Sequence, residues 1–156
     1  MNAKRVIRLV LIAFVALSAI WLVGRELPER PAPDAPATAA ADGDRITVYY
    51  FHRTARCVTC LTIERLAQSE VENAFRDQIA SGEIVFRSVN IEDPGNDHFT
   101  TDYNLVSQAV VLVEIRVGAP GRWKNLDAIW DLVHEEGEFR QYIRSEVGLF
   151  AGQGSS

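Results

Sequence analysis

The sequence predicts an α/β domain in which a mixed sheet is flanked by helices. Three observations carry that prediction. "RITVYYFH", residues 45–52, is β-branched and aromatic, with Thr47 the one clearly polar residue between Ile46 and Phe51, which is how a strand covered on both faces reads. Apolar residues then recur at Cys60, Ile63, Ala67, Val71, Phe75 and Ile79, the three-or-four spacing of a helix. Farther along, "EIVFRSVNIED" and "AVVLVEIRV" repeat the strand composition.

Taken in order, a central strand is expected over 46–52, followed by the short loop Arg53–Arg56. One long helix is expected over about 57–80, stopped by Gly82, with Cys57 in its first turn. A second strand over 83–91 ends at the turn residues Asp93, Pro94 and Gly95, and "NDHFTTDYN" forms a short helix stopping at Asn104. A third strand, 109–117, turns through "GAPGR" into a brief fourth near Trp123. Two helical stripes close the domain: Leu126, Ile129, Trp130 and Val133, with Asn125 as N-cap and Asp127 in the first turn, then Phe139, Tyr142, Ile143 and Val147. Gly137 is expected to separate them, with "HEEGE", 134–138, as a solvated junction, while Trp123, Trp130, Phe139 and Tyr142 read as packing residues. The first two strands, joined by a helix, should be parallel and the last two a hairpin.

The folded domain is expected at 45–150, with a disordered tail at 151–156. Ahead of it, residues 1–25 read as an N-terminal transmembrane anchor or signal peptide, and the Pro/Ala-rich stretch 26–44 as a disordered linker. The clean apolar run Leu9–Gly24 spans about 24 Å at ~1.5 Å per residue, against a hydrocarbon layer of roughly 30 Å, and Arg8 can snorkel to extend it. Because the run continues past the small residues Ala16, Ser18 and Ala19 through Trp21, the anchor is favoured over a cleaved signal. Lys4, Arg5 and Arg8 hold the N-terminus inside, which puts the domain outside the cytoplasm, in a bacterial periplasm, tethered or released. With 16 Lys and Arg against 21 Asp and Glu, the net charge of −5 argues against a nucleic-acid surface.

The chain's two cysteines lie three residues apart in "HRTARCVTC", 52–60. In an oxidising compartment such a pair persists as a disulfide, so location and spacing point to redox chemistry or to a metal. In the redox reading Cys57 is the nucleophile. The helix N-terminus lowers its pKa, aided by Arg56 and Arg53, and Cys60 faces the core as the resolving thiol. No acidic residue lies between Arg45 and Ile63, which leaves His52 to carry protons or merely to pack. In the alternative reading Cys57, Cys60 and His52 bind copper or zinc as a carrier, although His98 and His134 lie far along the chain and offer no convincing fourth ligand. No phosphate-binding glycine loop or nucleophilic serine motif is present.

A CxxC pair where the first strand meets a helix, followed by βαββα, resembles the thioredoxin-like fold over nearly all of 45–148. "YYFHRTARCVTC" stands in the place of the active-site segment, "VNIEDPGND" in that of the second strand and its turn, and "YNLVSQAVVLV" in that of the loop leading into the hairpin. Within that superfamily, "VYYFH", an Arg directly before CxTC, and "WKNL" are similar to small membrane-anchored thioredoxin-like proteins labelled ArsF-type subunits of a nitrophenyl-compound nitroreductase. The resemblance implies thiol–disulfide exchange through a redox-active Cys57–Cys60 disulfide with no other cofactor, a thiol or disulfide partner, and a membrane reductase as a reductive partner. Two departures stand out. Thioredoxins carry a buried Asp in the strand before the active site, absent here. They also carry a cis-proline before the hairpin strand, where this chain has about Ala109; a non-proline cis bond costs ~2.5–4 kcal/mol, so a trans loop is expected.

Overall fold

The computed structural model describes residues 44–154. The expected anchor, and all of the expected linker but Asp44, lie outside the described residues, and among those described no helix is long and apolar enough to cross a membrane. The elements are β1 (Arg45–His52), α1 (Val58–Ala74), α2 (Arg76–Ser81), β2 (Ile84–Asn90), α3 (His98–Asp102), β3 (Ala109–Arg116), β4 (Ala119–Asn125), α4 (Ile129–Leu132) and α5 (Glu136–Gly152).

The four strands form one mixed sheet in the order β2-β1-β3-β4. β1 pairs parallel with β2, in the register Ile46 opposite Ile84 through His52 opposite Asn90, and antiparallel with β3, Phe51 lying opposite Ala109. β3 and β4 form the antiparallel hairpin. The α/β class, the mixed sheet and both pairing directions are as expected, and they match the arrangement that the thioredoxin resemblance implies.

Strand alternation divides the core in two. On one face Ile46, Val48 and Tyr50 of β1, Ile84 of β2, and Val110 and Leu112 of β3 are buried beneath Ile63, Leu66 and Val71 of α1 and Phe139, Ile143 and Val147 of α5. Each fully buried side chain of this size contributes roughly 1.5–3 kcal/mol. On the other face Phe51, Val111, Val113 and Ile115 pack with Ile91, Tyr103 and Leu105. Tyr49, Phe51, Phe99 and Tyr103 form a ring cluster there with centroids 5.0–6.3 Å apart, and Trp123 meets Tyr103 edge-on at 5.6 Å. α1 and α5 are also joined by charge: the buried Glu70 accepts from Arg144 Nε at 2.7 Å and pairs with Arg140.

Several local expectations are corrected. The helix expected over 57–80 breaks at Phe75, whose φ of −125° and ψ of 38° leave the helical region while its side chain enters the core. The second segment ends where expected, at Gly82 with φ 80°. The hairpin turn falls at Val117 and Gly118, both with positive φ, so of "GAPGR" only the first glycine belongs to it; Ala119 and Pro120 already pair with β3, Pro120 being tolerated because β4 is an edge strand. Asn125 ends β4 and does not cap a helix; the residue before α4 is Ala128. Gly137 lies inside the first turn of α5, and the break precedes it. Of the four residues read as packing, Phe139 is fully buried, Trp130 and Tyr142 are half-buried, and Trp123 is 38% exposed.

Burial, aided by the neighbouring Tyr49 and Asp102, pushes the Tyr103 hydroxyl up to about 12. Its proton is held more tightly in the folded than in the unfolded chain, so the stabilisation is complete below the unfolded value of about 10 and is lost as pH rises toward 12. Unfolding midpoints should fall across that interval, and Tyr103→Phe should flatten the fall.

Candidate active site

β1 ends at His52, and the loop 53–57 carries the chain from the sheet to α1. Two features hold this loop. The Thr54 N–H donates to Glu92 Oε2 at 3.0 Å, and Asn90 Nδ2 donates to Thr54 Oγ1 at 3.1 Å, tying the loop to the end of β2. The first of these bonds lowers the Glu92 pKa, with the Thr54 hydroxyl and Arg53 acting in the same direction.

Cys57 is the N-cap of α1, one position ahead of the first turn in which it was expected. Its backbone is extended, φ −86° and ψ 165°, and its sulfur accepts from the Cys60 N–H at 3.1 Å, taking the place of the oxygen of a usual capping side chain. No acidic residue occupies the first turn, so nothing there offsets the positive end of the helix dipole. Cys57 and Cys60 form a disulfide with Cα atoms 5.1 Å apart. Their surroundings differ: Cys57 is exposed, whereas Cys60 is 3% exposed and points inward beside Ile63.

Beneath the pair lies a residue that sequence reasoning did not single out. The Tyr50 side chain is fully buried, and its hydroxyl donates to the Cys60 carbonyl at 2.7 Å, joining the central strand to the first turn of α1. Burial raises its pKa, partly opposed by the Arg56 guanidinium 5.7 Å from the ring centroid, so the phenol stays a proton donor at neutral pH. The alternation of β1 could have pointed to it, since Tyr50 shares a face with Ile46 and Val48.

Arg56 turns back over Tyr50 and pairs with Glu64 of α1, whose other oxygen accepts from Ser88 Oγ of β2 at 2.5 Å. The stretch without acidic residues thus ends one residue before the carboxylate that engages Arg56. His52 is half-buried, with its ring 6.0 Å from that of Tyr50. Its Nδ1 lies 3.0 Å from the Arg53 carbonyl, which only accepts, so Nδ1 is the donor and Nε2 is the nitrogen that would carry the lone pair in a neutral ring.

The loop before β3 reaches the same end of the sheet. The peptide bonds of the described residues are all trans, as expected at Ala109, and the Gln108 carbonyl accepts from Trp130 Nε1 at 3.2 Å. A cavity of about 240 Å³ is lined there by Val106, Gln108, Ala109, Leu126 and Trp130. A second cavity, about 330 Å³, lies at the opposite end of β1 around Arg45, Glu83 and Arg116, away from the sulfurs.

Among the described residues no group of three or more His, Cys, Asp and Glu side chains is placed to hold a metal ion. His98 instead pairs with Asp102. The site presents an accessible sulfur at a helix N-terminus, joined to a buried one a turn later.

Among solved structures the chain is similar to thioredoxin from Fasciola hepatica, 16% identical with a TM-score of 0.39 over 65% of this chain and 81% of that one. It is also similar to thioredoxin O2 from Arabidopsis thaliana in the oxidised state, 22% identical with a TM-score of 0.38 over 65% and 80% of the two chains. No protein-family model and no curated protein matches the sequence.

Replacing Tyr50 by Phe removes only the hydroxyl that holds the Cys60 carbonyl. Urea unfolding of the oxidised protein should show a loss of about 0.5–1.5 kcal/mol, and an unchanged midpoint would mean that the bond adds no stability.

Proposed function

We propose that this chain is a thiol–disulfide oxidoreductase acting through Cys57 and Cys60, tethered to a membrane by an anchor within residues 1–25 with its domain outside the cytoplasm. The observation that carries the reading is the unequal exposure of the two bonded sulfurs at the start of α1.

In the reducing direction the Cys57 thiolate attacks one sulfur of a partner disulfide, forming a mixed disulfide and expelling the other as a thiolate. The Cys60 thiol then gives up its proton and attacks Cys57 Sγ. This closes the Cys57–Cys60 bond and releases the second partner thiolate, so two electrons pass to the partner. Oxidation of a partner dithiol runs the same steps backwards. The Cys60 N–H, aimed at Cys57 Sγ in the oxidised state, is placed to stabilise the thiolate, as is the uncompensated helix N-terminus. The free Nε2 of His52 supports a proton-accepting role. The partner is a protein or small-molecule thiol or disulfide, and a membrane reductase of the kind associated with the ArsF-type group fits as the electron source.

Cys57→Ser should abolish disulfide exchange with glutathione, while Cys60→Ser should retain the first step and accumulate a mixed disulfide detectable by mass. Full activity in Cys57→Ser would refute the assignment. His52→Asn should remove one ionisation from the pH–rate profile, and an unchanged profile would confine His52 to packing.

A further inference from the structure

The two charges next to the disulfide are arranged to offset one another. Arg56 immediately precedes Cys57, and an uncompensated guanidinium there would stabilise the thiolate and with it the reduced protein. Its charge is not uncompensated. The guanidinium pairs with Glu64, whose second oxygen is held by Ser88, and its face lies over Tyr50. The Arg56 Nε is buried without a hydrogen-bond partner, so the pair is held through the terminal nitrogen. The Arg56 and Glu64 side chains are only 23% and 18% exposed, so solvent and salt screen them less than a surface pair. Glu64 also lies one turn beyond Cys60 on α1, and such neighbours have Cβ atoms about 5–6 Å apart. The other ionisable groups at this end, His52, Arg53 and Glu92, lie outside this arrangement; Glu92 engages Thr54.

We propose that Glu64 sets the redox poise of the Cys57–Cys60 pair by neutralising Arg56, with Ser88 and Tyr50 holding the ion pair in position. Glu64 is a tuning residue and touches no reacting atom. The inference rests on the exchange reading, since poise has meaning only for a pair that exchanges. It assigns opposite effects to the two partners. Removing the carboxylate leaves Arg56 bare, favours the Cys57 thiolate and makes the protein more oxidising; removing the guanidinium leaves Glu64 bare and does the reverse.

The test is a charge cycle on the 156-residue chain: Glu64→Gln, Arg56→Gln and the double variant, each equilibrated with reduced and oxidised glutathione. Glu64→Gln should raise the equilibrium constant for forming the dithiol about three- to tenfold, and Arg56→Gln should lower it by a similar factor. The double variant, which changes no net charge, should return to within about twofold of the starting protein. The pH dependence of Cys57 alkylation in the reduced protein should move in parallel, by about half to one pH unit. A purely structural ion pair would lower the unfolding midpoint and leave both readouts in place. An unmoved constant in Glu64→Gln, or a double variant displaced as far as Arg56→Gln alone, would overturn the proposal. Should one single variant fail to fold, the other compared with the double variant still decides, since offsetting charges require the single variant to shift and the double variant to return. If the unaltered chain exchanges nothing with glutathione, the exchange reading fails, and the alkylation profile still tells whether Glu64 offsets Arg56.

Discussion

The architecture depends on β1 being enclosed on all sides. It pairs with β2 along one edge and β3 along the other, and both of its faces are buried, by helices on the side of Val48 and Tyr50 and by the Tyr103 cluster on the side of Phe51. A strand in that position cannot shift register without turning its whole apolar set around. Its last residue is therefore fixed, and so is the point from which the loop to α1 departs. The disulfide inherits its placement from that fixed end.

What surrounds the pair is drawn from several elements, each supplying one or two polar groups at the sheet's end. β1 contributes the Tyr50 hydroxyl, β2 the Asn90 and Ser88 side chains, α1 the Glu64 carboxylate, and the segment after β2 the Glu92 carboxylate. Tyr50 is the deepest of these. A buried carboxylate in this strand would titrate and could take a proton from a thiol; a buried phenol with a raised pKa cannot do so near neutral pH, and acts as a fixed donor. In the proposed exchange, a proton leaving Cys60 would then go to water or to a group such as His52. That separates the chemistry of this site from one built around an internal acid.

The sequence made the sheet legible because its strands carry a dense apolar signal and its crossover is long. The CxxC position was equally legible, since a strand-to-helix junction is a local feature. The breaks were not. Phe75 fits the helical period on both sides, and only its dihedral angles reveal that the chain bends there. Asn125 and Gly137 carry the right residue types for a cap and a separator, yet β pairing claims the first and the helix starts ahead of the second. The Arg56–Glu64–Ser88 arrangement was invisible for another reason. Its members lie 8 and 24 residues apart, so it exists only once β1, α1 and β2 are packed. The acid-free stretch ends at Ile63, one residue short of Glu64, whose importance no local pattern announces.

The loop before β3 shows how a fold can hold a segment without the residue that might have stiffened it. A proline at position 109 would restrict φ and remove an N–H; Ala109 does neither. The constraint comes instead from outside the loop. The Leu105 N–H bonds the Thr100 carbonyl at 2.9 Å while its side chain is buried, Asn104 adopts a positive φ of 51°, and the Trp130 indole donates to the Gln108 carbonyl. Trp130 is itself held against the main core, so the loop is fastened to the layer that contains α1. Val106, between these fastenings, is left 91% exposed. On the other side of the site Val58 is 82% exposed in the first turn of α1. The two valines expose apolar surface at this end of the sheet, Val106 on a loop fastened on both sides and Val58 in a helical turn whose carbonyl accepts from Thr62 Oγ1 at 3.0 Å.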